Sequence, residues 1–317
     1  MSECMVYDVI IIGSGPAAYS AALYLQDYKV LVLEGGIVGN NGPGGQLTTT
    51  TVVDNYPGYP NGITGPELMM IMKKQVESKN LCTKEETATA LSVSSEGRFF
   101  NVCTRQGDYV AYSIVIATGA QAKRLCVPGT ATFWQKGIST CAVCDGHLFL
   151  DEVVAVIGGG DSAMEESLYL AGIARKVYLI HRRDTFRSRK DMLMRVEKNK
   201  KIEIIRSSIL VEAKGEKLLS SIVVKNVVND ELCELAVDGL FFAVGHLPNT
   251  DFIKKGFVEM DEGYIKTDSL MRTSRKGVFA CGDVQDRIYR QANTAAASGC
   301  IAALSVREYL NGSNAKI

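Results

Sequence analysis

The chain has 317 residues, and at roughly 100–200 residues per domain that length suggests two domains. Hydrophobic residues make up 46% and charged residues 22%, the balance of an ordinary globular protein. Lys+Arg and Asp+Glu are both 35, and a net charge of zero argues against nucleic acid or a polybasic membrane surface as a partner. No apolar run approaches the roughly 18 residues of a membrane span.

In chain order, MSECMVYDVIIIG comes first. Asp8 interrupts its apolar stretch and no basic segment precedes it, so it reads as a first strand and not a signal peptide. The turn Gly13-Ser14-Gly15-Pro16-Ala17-Ala18 matches G-x-G-x-x-A and opens a helix of small residues. A second strand, KVLVLE, ends at Glu34, 21 residues after Gly13. Short strands broken by Gly, Asp and Asn follow over 98–118, closing on Ala117-Thr118-Gly119.

The pattern then repeats. VVAVIGGGDSAMEESLYL carries Gly158-Gly159-Gly160-Asp161-Ser162-Ala163, a second G-x-G-x-x-A. Its second strand, KVYLIHRR, ends in His181-Arg182-Arg183, with Arg187 following. Short strands fill 209–244 and close on Ala243-Val244-Gly245. The strand VFACGD and the helical segment QANTAAASGCIAALSVREYL finish the chain. Two βαβ units imply parallel strands covered by helices. The expected fold is α/β, with two Rossmann-like nucleotide-binding domains and the second inserted into the first. Residues 1–119 and 247–317 form one domain and 120–246 the other.

The strand ends predict two different nucleotides. A carboxylate at Glu34 accepts hydrogen bonds from the adenosine ribose, which suits FAD. The second copy has arginines where the first has an acid. Guanidinium pairs with a 2′-phosphate, which selects NADPH over NADH. Each loop would hold a pyrophosphate on a helix N-terminus, through Gly13 and Gly15 in one and Gly158 and Gly160 in the other.

The cysteines give a third signal. Of nine, seven are isolated (Cys4, Cys82, Cys103, Cys126, Cys233, Cys281 and Cys300), so they form no disulfide framework, and the chain is expected in the cytoplasm. Only Cys141 and Cys144 are neighbours, as C-x-x-C. Half a zinc site and two core thiols are the bland readings. Zinc needs about four ligands, and His147 alone does not complete the set, so no metal is expected. A redox dithiol fits a chain that also carries flavin and NADPH loops. Asp145 follows directly and is placed to move a proton when a thiolate leaves.

These pieces together, GSGPAA, GGQLTTTTVVDNYPG, CAVCDG, GGGDSAMEE, HRRDTFR, VFACGDV and YRQANTAAASG, make the chain resemble the low-molecular-weight thioredoxin reductases over essentially its whole length. The resemblance implies that Ser14, Gly15, Pro16 and Ala17 bind the FAD pyrophosphate and Glu34 its ribose. Asn41, Gly42, Gly45, Gln46 and Asn55 would line the rest of that nucleotide. Asp283 would meet the ribityl chain, and Arg290, Gln291 and Ala292 the isoalloxazine ring. Asp161, Ser162 and His181 would join Arg182, Arg183 and Arg187 at NADPH. Cys144 would face the flavin, Cys141 would attack the substrate disulfide, and Asp145 would be the acid/base. Thioredoxin is the implied acceptor and a homodimer the implied assembly. Two residues depart from the family's usual apolar choice, His147 and Asn293. The rivals are a flavin dithiol oxidase, a reductase of other disulfides, a ferredoxin-type NADP reductase without the dithiol, and a nucleotide-holding redox sensor.

Chain order adds an expectation of motion. Cys144 lies 14 residues before Gly158, so the dithiol and the NADPH loop share a domain while the flavin belongs to the other. Both must reach the flavin, which predicts rotation about hinges near Gly119–Ala122 and Gly245–Asn249.

Overall fold

A computed structural model describes residues 5–36, 43–49 and 52–312. Among the described residues the α-helices are α1 (Pro16–Tyr24), α2 (Gly65–Glu77), α3 (Ala142–Asp145), α4 (Asp161–Ala171), α5 (Lys190–Lys198) and α6 (Ala292–Gly312). None of them is long and apolar enough to cross a membrane.

The first apolar run becomes the strand Val6–Ile12, buried on both faces from Val9 onward, as a central parallel strand must be. It pairs in parallel with Val30–Leu33 on one side and with Asp108–Ile116 on the other. Cys82–Lys84 joins outside Val30–Leu33. The far edge of Asp108–Ile116 is shared. Phe100–Thr104 runs antiparallel to its first half, and Val278–Ala280, from near the end of the chain, runs parallel to its last residues. Alternate residues of the first strand feed two cores. Val9 and Ile11 meet α1, α2 and α6, while Ile10 and Ile12 meet the antiparallel arm and Ile253, Phe257 and Val258.

The small residues of α1 and α6 form a tight seam. An added Cβ at Gly299 would lie 2.1 Å from the Ala17 carbonyl oxygen, so only glycine lets these backbones approach this closely. Helix α2 begins with a capping box, in which Glu67 N–H donates to Thr64 Oγ1 and Thr64 N–H donates to the Glu67 carboxylate.

A second sheet repeats the plan. Its parallel strands run in the order Ile138–Ser139, Gly239–Ala243, Val153–Gly158, Lys176–Ile180, Ile202–Ile205. An antiparallel meander, Ser208–Gly215, Leu219–Asn226 and Leu232–Ala236, leads into Gly239–Ala243 just as the arm of the first sheet leads into Asp108–Ile116. The fifth strand is where the copies part. It comes from the chain's C-terminal end in the first sheet and from just before the dithiol in the second.

Contacts divide the chain into two units. One runs to Gln121 and resumes at Leu247; the other is Ala122–His246. In the first unit, Asn249 Nδ2 donates to Thr118 O and Thr118 Oγ1 donates to Asn249 O, each at 2.8 Å. In the second, Lys123 N–H donates to Gly245 O at 2.9 Å. Each unit thus closes on itself where the chain enters and leaves.

Candidate functional site

The two Gly-rich turns share one local geometry. A Cβ at Gly13 would lie 2.2 Å from the Ala117 carbonyl oxygen, and one at Gly158 would lie 2.4 Å from that of Ala243. Each first glycine therefore presses against the end of the neighbouring parallel strand. A Cβ at Gly15 or Gly160 would meet nothing within 4 Å. Both are extended helix N-caps, with φ and ψ of −81° and −178° and of −105° and −174°, and no side chain caps α1 or α4. Open space therefore lies beside the glycine at the positive end of each helix, an arrangement that fits a pyrophosphate.

Around the first turn, Ser14 Oγ donates to Glu34 O at 2.7 Å and accepts Gly44 N–H at 2.8 Å. This draws in the loop of Gly45 and Gln46, and Gln46 Nε2 donates to Ala120 O. Asn41 and Gly42 lie outside the described residues. The Glu34 carboxylate is buried, and both its oxygens are engaged. Tyr19 OH donates to Oε1 at 2.7 Å and Lys73 Nζ to Oε2 at 2.8 Å. A carboxylate offers about four acceptor positions, so ribose hydroxyls could still bind.

The other expected flavin residues come together from distant parts of the same unit. Pro16 and Ala17 open α1. A Cβ at Gly282 would lie 2.9 Å from Ala17 Cβ, and Gly282 N–H donates to Ser298 Oγ on α6. Asp283 follows on that turn. Burial pushes its carboxyl up to about 7, and the Arg290 guanidinium only partly offsets this. No donor among the described residues satisfies it. A bound polyhydroxyl chain would relieve such a group. Arg290 has a positive φ of 43°, Gln291 O accepts from Ala295 N–H, and Ala292 begins α6. Asn293 Nδ2 donates to Asn55 O at 2.9 Å, so an expected departure from the family meets an expected flavin residue.

In the second unit, Arg182, Arg183 and Arg187 are exposed, and among the described residues none of them forms a salt bridge. Arg187 N–H donates to Gly159 O at 2.8 Å, which holds the basic segment against the Gly-rich turn. His181 differs from its basic neighbours. It is buried, stacked on Phe186, and its Nε2 lies 3.1 Å from Thr185 O. Burial lowers its pKa, so it stays neutral and shapes the turn by packing against Gly159. Asp161 Oδ1 accepts Arg189 N–H at 2.8 Å, and Ser162 follows it in the first turn of α4.

Cys141 and Cys144 form a disulfide with Cα atoms 5.3 Å apart. Cys141 is the N-cap of α3, and its sulfur accepts Cys144 N–H at 3.2 Å. Both residues are half-buried, and Val143 between them is 49% exposed. Ser139 Oγ donates to Asp145 Oδ2 and accepts Cys141 N–H. A disulfide at the surface of a unit that carries a phosphate-type turn and free arginines can exchange electrons with a protein thiol pair. Among the described residues no group of three or more His, Cys, Asp or Glu side chains could hold a metal ion.

Sequence reasoning missed Tyr19, Lys73, Gly44 and Ser139. Each reaches its partner through the fold, and only Ser139, two residues before the C-x-x-C, had a signal in its position.

The family model for the pyridine nucleotide-disulphide oxidoreductases matches residues 7–299. The chain is 48% identical over 315 residues to thioredoxin reductase 2 of Arabidopsis thaliana, covering 95% of this chain and 82% of that protein. It is 46% identical over 310 residues to the thioredoxin reductase of Chlamydia pneumoniae, covering 95% and 98%. The solved thioredoxin reductase of Giardia duodenalis matches it with a TM-score of 0.91 and 41% identity, over 96% of this chain and 99% of that one.

Proposed function

The chain belongs to the pyridine nucleotide-disulphide oxidoreductase family, among its thioredoxin reductases, and on that premise we propose that it reduces thioredoxin as a cytoplasmic homodimer. It is an oxidoreductase that uses FAD and NADPH. The observation that carries the proposal is the surface disulfide Cys141–Cys144 in the unit that also holds Gly158, Gly160 and the three free arginines.

Bound FAD and NADPH supply hydride chemistry that no side chain provides. The protein's part is to hold and to exchange. The unit of Gly13, Gly15 and Glu34 would hold FAD, with Asp283 available to its ribityl hydroxyls and Arg290, Gln291 and Ala292 to its isoalloxazine ring. Arg182, Arg183 and Arg187 take the 2′-phosphate of NADPH. Once reduced, Cys141 attacks a disulfide sulfur of thioredoxin as the thiolate. That S–S bond breaks, a mixed disulfide forms, and one thioredoxin thiolate leaves. Cys144 then attacks the Cys141 sulfur, restores the Cys141–Cys144 bond and releases the second thiolate. Two electrons and two protons pass to thioredoxin in all. Asp145 hands a proton to a leaving thiolate.

The test is turnover of NADPH with oxidised thioredoxin or small disulfides under anaerobic conditions, and with oxygen as the sole acceptor in a separate assay. Rapid turnover with thioredoxin supports the proposal. Electron flow to oxygen alone would make the chain a dithiol oxidase, a reading that leaves the free arginines without a purpose.

A further inference from the structure

We propose that Ser139 is a positioning residue for the dithiol, pinning both ends of the short turn that carries Cys141 and Cys144. The proposal rests on the disulfide-reductase reading and goes beyond it, because the C-x-x-C-D spacing assigns nothing to position 139.

Ser139 ends the strand Ile138–Ser139 and is 8% exposed. That strand is anchored by parallel pairing of Ser139 with Phe241, a fully buried residue of the second sheet. Its hydroxyl makes two bonds whose directions are fixed by chemistry. The Cys141 N–H can only donate, so the Ser139 oxygen accepts it, at 3.1 Å. The single hydroxyl proton then goes to Asp145 Oδ2.

These two contacts fall at opposite ends of one element. Cys141 is the N-cap of α3 and Asp145 is its last residue. A four-residue helix has little stability of its own, since nucleation is costly and few bonds follow. Within it, Asp145 N–H donates to Cys141 O and Cys144 N–H to the Cys141 sulfur. Ser139 adds the outside anchor, tying both the start and the end of the turn to a buried strand. It thereby holds the Asp145 carboxyl in register with the Cys141 backbone, in the disulfide form seen here.

Removal of the hydroxyl should therefore slow thiol–disulfide exchange and leave hydride transfer from NADPH untouched. The experiment uses the full-length, flavin-loaded protein with Ser139→Ala, Ser139→Thr, Asp145→Asn and the Ser139→Ala/Asp145→Asn double variant. Stopped-flow absorbance follows flavin bleaching by NADPH, then electron delivery to oxidised thioredoxin. Bleaching is expected within about twofold of wild type in Ser139→Ala and Ser139→Thr, because the hydrogen bonds concerned lie in the dithiol turn. Delivery should fall about 10- to 100-fold in Ser139→Ala, as for loss of one charge-assisted bond. Thr, which keeps the hydroxyl, should recover most of it. Because Ser139 acts through Asp145, the double variant should be no slower than Asp145→Asn alone.

Delivery at the wild-type rate in Ser139→Ala overturns the proposal. So do independent, multiplying effects in the double variant, or an equal slowing of bleaching. If Ser139→Ala does not fold, Ser139→Gly replaces it, and failure of both to fold assigns Ser139 to structure alone. A wild type that is bleached by NADPH but passes nothing to thioredoxin refutes the reductase reading itself, a result distinct from all of these.

Discussion

Asp283 shows what single-residue burial does in the flavin unit. Its carboxyl is pushed up to about 7 by burial, with Arg290 pulling the other way. A folded-state value above the unfolded one means that the fold favours the protonated carboxyl. The stability tied to this group is fully present below the usual carboxylate range and is lost as pH rises through about 7. Denaturant unfolding of the flavin-free protein should therefore show stability falling between about pH 4 and pH 7 and levelling off above it, by on the order of 4 kcal/mol in all. Asp283→Asn should flatten that fall. The same pH slope in the variant would show that another group is responsible. Glu34 is the contrasting case, a buried carboxylate held by Tyr19 and Lys73, and neither partner was legible in the sequence. Lys73 lies 39 residues from Glu34 and meets it only because α2 packs beside the strand that ends there. Ser139 was missed for a similar reason, since a two-residue strand leaves no periodicity to read.

At the scale of elements, the repeated strand–turn–helix was legible because each copy is contiguous. G-x-G-x-x-A lies next to its apolar strand, and in both copies the glycine at its first position presses on the neighbouring strand while the one at its third position has open space beside it. What the pattern could not supply was how the fifth strand of each sheet pairs: Val278–Ala280 was legible as a strand but not its place in the first sheet, and Ile138–Ser139 was not legible at all, because non-local pairing decides both. The basic segment after Lys176–Ile180 carries the next prediction. Its three exposed arginines have no acidic partner among the described residues, so they are available to a phosphate. Charge-assisted bonds contribute roughly 1.5–3 kcal/mol each, and two of them predict a preference for NADPH over NADH of about 10²–10⁴. Steady-state kinetics of an Arg182→Ala/Arg183→Ala variant should show a raised Michaelis constant for NADPH and little change for NADH. Equal use of both nucleotides by the wild type would contradict the reading. His181 belongs to a different class from these arginines, because burial keeps it neutral and stacked on Phe186.

For the whole molecule, the order of the chain sets the problem. The dithiol and the second Gly-rich turn share the unit Ala122–His246, while the first turn and Asp283 belong to the other. Cys141–Cys144 and the nicotinamide must each exchange electrons with one flavin, and Cys141 must also be open to a protein. We expect two states that interconvert by rotation of Ala122–His246. Single-molecule energy transfer between one dye in each unit should resolve two populations whose ratio shifts on reduction by NADPH, and one unshifting population would refute the rotation. The central claim is that electrons leave through Cys141. It is tested most directly by trapping the covalent intermediate. Reduced Cys144→Ser protein is mixed with disulfide-activated thioredoxin that lacks its own resolving thiol, and the products are weighed by mass spectrometry. The account predicts a stable one-to-one adduct linked through Cys141 and little adduct with Cys141→Ser. Adduct formation through Cys144 instead, or through one of the isolated cysteines, would contradict it.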